Sequence, residues 1–180
     1  HQSIDCDANG NVYVTGYTDS PAASFSILAW AGAYNDGVLG GTSDIFILRF
    51  TATTGVRTWA TYYGGTADEQ GYSIACDGAN NIYLTGWTYG SFPIQAWAGA
   101  YNDAVFGVTN ADIFILRFTS AGVLTWATYY GGSGSEFGTA IVCDGTNNIY
   151  VTGYTDSSPF PTQTWVGAYN DATFGGGTYD

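Results

Sequence analysis

The chain has 180 residues, of which 15 are acidic and only three are basic: Arg49, Arg57 and Arg117. A formal net charge of −12 with no lysine excludes a phosphate-backbone reader, since such binding rests on Lys/Arg contacts. No run of 18 apolar residues occurs, so no membrane-inserted helix is predicted.

Aromatic residues make up 17% and glycines number 26, while charged residues are 10% against about 25% in an average domain. Aromatics favour strands and glycine marks tight turns, so the composition predicts an all-β fold of short strands. The acidic, lysine-free surface suits an extracellular or cell-surface setting.

Three copies of one unit fill the chain. Tyr13, Tyr83 and Tyr150 sit in GNVYVTGYT, NNIYLTGWT and NNIYVTGYT, and Asp44 and Asp112 each open a DIFILRF run. Within the middle copy, four strand-like runs follow in order: 71–77, 81–88, 112–119 and 123–130. Asp77-Gly-Ala-Asn-Asn81 between the first two reads as a hairpin turn, and Thr119-Ser-Ala-Gly122 does the same between the last two. A longer aromatic loop, residues 89–111, joins the second run to the third. Four antiparallel strands in sequential order, repeated, are the layout of propeller blades. The small residues Gly71, Ser73 and Ala75 suit an innermost strand.

The predicted units are 1–67, 68–134 and an incomplete third at 135–180, which contains two strands and the long loop. About two and a half blades do not close a propeller, which uses four to eight. The sequence therefore predicts contact with continuations or copies of itself. An open blade edge invites strand pairing, and repeated pairing would build a fibre or sheath.

DGTNNIYVTGYTDSSPFPTQ and TWATYYGGSGSEFGTAIVCD resemble the SBBP-type β-propeller repeat of bacterial surface proteins. The departures are Asn80 and Asn147 in place of glycine, and a cysteine where an aliphatic residue is usual. The resemblance implies a fold and a secreted or surface location, with no particular chemistry.

Three sets of residues recur in register. Cys6, Cys76 and Cys143 share one position per unit, spaced unlike any zinc motif, and are expected to be buried and unpaired. Asp36, Asp44, Asp103, Asp112, Asp171 and Asp180 lie in the loops, where they are either calcium ligands or turn-capping residues. Trp30, Trp97 and Trp165, with Tyr34, Tyr101 and Tyr169, are either stacking platforms for carbohydrate or packing between blades.

Catalysis has little to work with. The only histidine is His1, so no Ser/His/Asp or Cys/His pair forms. Asp68, Glu69 and Glu136 on the inter-blade loops are the remaining carboxylates for a glycosidase. The preferred expectation is a non-catalytic assembly or adhesion scaffold with no cofactor beyond calcium. A carbohydrate-binding module is the alternative.

Overall fold

A computed structural model describes residues 2–107 and 110–180, so His1 lies outside the described residues. Among the described residues there are ten strands and no helix, hence no helix long and apolar enough to cross a membrane. Strands β1 (Ser3–Cys6), β2 (Asn11–Thr18), β3 (Asp44–Thr51) and β4 (Arg57–Tyr63) form one antiparallel sheet in sequential order. Strands β5 (Glu69–Cys76), β6 (Ile82–Thr88), β7 (Asp112–Phe118) and β8 (Leu124–Tyr130) repeat it. Strands β9 (Glu136–Cys143) and β10 (Ile149–Thr155) form a third sheet of two. These are propeller-type blades, and among the described residues they do not close a ring.

The hairpins form for a local reason. Asp77 accepts the Ala79 and Asn81 amides on Oδ1 at 2.9 and 2.8 Å, folding the chain back within four residues. Asp7 and Asp144 do the same in the other units. Asn80 and Asn147 take the left-handed angles (φ 64° and 66°) that Gly10 takes in the first hairpin. Asparagine tolerates that region best among residues with a Cβ, so the substitution for glycine keeps the turn.

The blades pack face to face through their inner strands. Ser3 Oγ accepts the Ile74 amide, Asp5 Oδ2 accepts the Cys76 amide, and Ser73 Oγ accepts the Ile141 amide. Side chains of one inner strand thus cap backbone groups of the next, as strands crowding toward an axis require. Gly138 permits the closest approach: a Cβ there would lie 2.6 Å from Thr85 Oγ1 and 2.9 Å from the Gly86 carbonyl. Gly71 meets Thr15 and Gly16 in the same way.

Two apolar cores result. One lies between the first two blades and includes Ile45, Ile47, Trp59, Tyr63, Ile74, Leu84 and Phe118. The other lies between the second and third and includes Tyr83, Ile113, Ile115, Trp126 and Ile141. The middle blade is therefore covered on both faces, and every residue of β6 is buried. Strand β10, nearly identical in sequence, is half-buried at best.

The cysteines correct one expectation. All three are unpaired, but Cys6 is exposed, while Cys76 and Cys143 are partly buried. In β1, Ser3 and Asp5 face β5, and the alternating side chains Ile4 and Cys6 are left exposed.

Candidate functional site

The long loop after each second strand carries the candidate residues, and its course explains them. In the first blade it runs back along the outer edge of β4: Leu28 and Ala60 exchange both backbone hydrogen bonds, and the Tyr62 amide donates to the Asp36 carbonyl. In the second, Gln95 and Ala127 exchange bonds, and the Tyr129 amide donates to Asp103. Each loop thereby satisfies the outer edge of its own blade, which would otherwise offer unpaired backbone groups.

Within the loop, Asn35 closes a tight turn around Trp30. Its Oδ1 accepts the Trp30 amide at 2.9 Å and its Nδ2 donates to the Trp30 and Ala33 carbonyls. Asn102 and Asn170 repeat the arrangement around Trp97 and Trp165. Asp36, Asp103 and Asp171 each spend Oδ1 on the amide two residues on.

In the first two loops the turn sets the tryptophan over an arginine. The Arg49 guanidinium lies 4.6 Å from the Trp30 ring centroid, and Arg117 lies 4.4 Å from Trp97. Each arginine also reaches across its sheet. Arg49 donates to Thr58 Oγ1, Asn11 Oδ1 and the Tyr13 hydroxyl; Arg117 donates to Thr125 Oγ1 and the Tyr83 hydroxyl. Tyr13 and Asn11 in turn donate to Asp7 Oδ2, so hairpin, strand and loop are tied through one chain of bonds. Burial alone would push the Asp7 carboxyl up, but the bonds from Asn11, Tyr13 and Asn9 hold it below its ordinary value.

Tyr34 enters the first blade junction, its ring 5.1 Å from that of Tyr63 and 6.2 Å from that of Phe118. Tyr101 packs 5.0 Å from Tyr130 and is 47% exposed. The third loop differs: Trp165 is 78% and Tyr169 91% exposed. Its blade has Asp144, Asn148 and Tyr150 joined as in the others, but no arginine strand beside them.

The predicted aspartates divide into two environments. Asp44 and Asp112 are buried at the start of β3 and β7, whereas Asp36 and Asp103 cap loop turns. Asp180 exchanges both backbone hydrogen bonds with Thr155 at 2.8 Å, the pairing that Asp44 makes with Thr18 and Asp112 with Thr88. Among the described residues no three His, Cys, Asp or Glu side chains gather as a metal cluster. Glu69 and Glu136 are fully buried and face the junctions. The arginine partners of the tryptophans were not singled out from sequence. The available signal was that each complete loop leads into a strand with an arginine at its sixth position.

Repeating four-stranded sheets, stacked by their first strands and edged by their own loops, agree with the family comparison. A model described as "Beta-propeller repeat" (SBBP) matches residues 2–21, 58–93 and 125–161, slightly more than half of the chain. The chain belongs to this family. The two longer matches each run from the outer strand of one blade across the junction into the first strands of the next. The chain is also 24% identical over 199 residues to an "Uncharacterized WD repeat-containing protein" of Acanthamoeba polyphaga mimivirus. That match covers 88% of this chain and 14% of the viral protein's length.

Proposed function

We propose that this β-propeller repeat chain is a non-catalytic scaffold of the cell surface or extracellular space. In this reading it assembles by adding strands to an open blade, in continuations or copies of itself. The observation that carries the reading is the outer edge of β10. Thr155 already pairs with Asp180 in the register that starts β3 and β7, while among the described residues no strand pairs with Ile149–Tyr154 on that side. Ile113, Ile115, Tyr130, Ile149, Val151 and Phe160 line an apolar cleft of about 480 Å³ beside that edge. A strand of the DIFILRF kind would place alternate side chains in the cleft and bring an arginine to Tyr150 and Trp165. The acidic, lysine-free composition supports the surface setting.

The test uses a synthetic peptide carrying DIFILRFT. Saturable binding with a change in tryptophan emission is expected, weakened at least tenfold when its arginine becomes glutamine. Absence of binding, or indifference to that change, contradicts the reading.

The exposure of Trp165 and Tyr169 favours a second reading, carbohydrate binding by the third loop. It predicts glycan retention that Trp165→Ala abolishes, independent of the peptide.

A further inference from the structure

The blade junctions hold a repeated pair of buried carboxylates that the scaffold reading does not use. Asp44 opens β3 and Glu69 opens β5 of the next blade; both are 0% exposed. Asp112 and Glu136 stand in the same relation one blade further on, 3% and 0% exposed. Each pair converges on a glycine of the connecting turn. A Cβ built on Gly131 would lie 2.6 Å from both Asp112 Oδ1 and Glu136 Oε2; one on Gly64 would lie 2.6 Å from Glu69 Oε2 and 2.9 Å from Asp44 Oδ1.

Hydrogen-bond donors cover these acids incompletely. Asp112 Oδ2 accepts the Gly107 amide, and Glu136 accepts the Gly132 amide and the Thr155 hydroxyl. Asp112 Oδ1 has no partner although it is buried. In the first junction Asp44 accepts the Gly40 and Gly41 amides, and Glu69 the Gly65 amide and Thr88 hydroxyl. There the buried oxygen without a partner is Asp68 Oδ1, and the Asp68 charge acts on both Asp44 and Glu69. Among the described residues these are the only two such side-chain atoms, one at each junction.

The charged neighbours are all negative: Asp36 and Asp68 at the first junction, Asp103 at the second. Tyr63 and Tyr129 are the titratable hydroxyls that feel Glu69. Two carboxylates withdrawn from water without a positive charge are costly. A shared proton removes one of the two charges; a divalent cation offsets both.

We propose that each blade junction is a seat for a hard divalent cation of the calcium class. Asp112 and Glu136 hold it at the second junction. Asp44 and Glu69 hold it at the first, where the Asp68 charge acts on both. Backbone carbonyls and water complete the oxygen shell, as such ions accept. The cation would join the third strand of one blade to the first strand of the next, making the stacking of blades metal-dependent. The site is independent of the open β10 edge, so its failure leaves the scaffold reading standing.

The experiment uses the whole chain, stripped with EDTA and titrated with CaCl2 and with TbCl3. Calcium should raise the melting temperature saturably, and EDTA should reverse the rise. Terbium emission excited through tyrosine should appear, be displaced by calcium, and be lost in the Glu69→Gln/Glu136→Gln variant. Circular dichroism checks that this variant is folded. If it is not, calcium displacement of terbium and the calcium-dependent melt of the unaltered chain decide alone. No calcium-dependent melt overturns the proposal, as does terbium emission that persists in the folded variant.

Discussion

Arg117 lies 4.4 Å from the ring centroid of Trp97, a residue 20 positions earlier in the chain, and Arg49 repeats the contact with Trp30 at 4.6 Å. The pair fastens the long loop to the third strand of its own blade. Replacing Arg117 with Ala removes the stacking and the bonds to Tyr83 and Thr125. A loss of about 2 kcal/mol is expected, from a cation–π contact and two modest hydrogen bonds. A urea double-mutant cycle with Trp97→Ala should return a coupling near 1 kcal/mol, roughly the stacking contribution. Additive losses would mean the loop is held by its other ties to β8, such as the bonds of Trp126 and Thr128 to the Tyr101 and Asp103 carbonyls, and not by the stack.

The inner strands approach too closely for a side chain at Gly138. Gly138→Val would drive methyl groups into Thr85 and the Gly86 carbonyl and separate the second and third blades. A destabilisation of about 2–3 kcal/mol is expected, as for overpacking against unyielding backbone. Gly145→Ala, which meets nothing within 4 Å, serves as the control and should cost far less. Equal effects would contradict the blade packing described above.

Burial at the first junction pushes the Glu69 carboxyl from 4.5 up to about 7, with the Asp44 and Asp68 charges adding to it. Burial likewise raises Asp112 from 3.8 to about 6, with Glu136 and Asp103 adding to it. The folded state therefore holds protons that the unfolded chain has released, and stability falls as pH rises from about 4.5 to about 7. One such group contributes a slope of at most about 1.4 kcal/mol per pH unit. In EDTA, the chain should melt higher at pH 5 than at pH 8, and Glu69→Gln should reduce the difference. A rise in stability across that window would contradict the buried acid pairs.

Much of this was legible in the sequence, and the limits are physical. The hairpin aspartates, the period of the repeat and the alternation of strands specify each blade, because those interactions are local. The Asp112–Glu136 pair was not legible, because 24 residues separate the two and only the stacking of one blade on the next joins them. Cys6 shows the same limit from the other side. It shares a motif position with Cys76, yet its exposure depends on whether a neighbouring blade covers that face. The tryptophans were identified as special, but the loop's path along the outer strand, which chooses their partner, arises from backbone pairing that composition does not encode.

Strands β6 and β10 offer the most direct test of the central claim, because they share nearly one sequence in two settings. In β6, Ile82–Thr88 pair with β5 on one side and β7 on the other. In β10, among the described residues, Ile149–Tyr154 pair only with β9, and Asp180 meets Thr155 alone on the outer side. The measurement is residue-resolved amide hydrogen exchange on the 180-residue chain, with and without the DIFILRFT peptide. The account predicts slow exchange throughout β6 and fast exchange of alternate, outward-facing amides in β10. Those β10 amides should slow at least tenfold when the peptide is added. Uniform protection of β10 in the chain alone, or no slowing with peptide, would contradict an open blade edge that accepts a further strand.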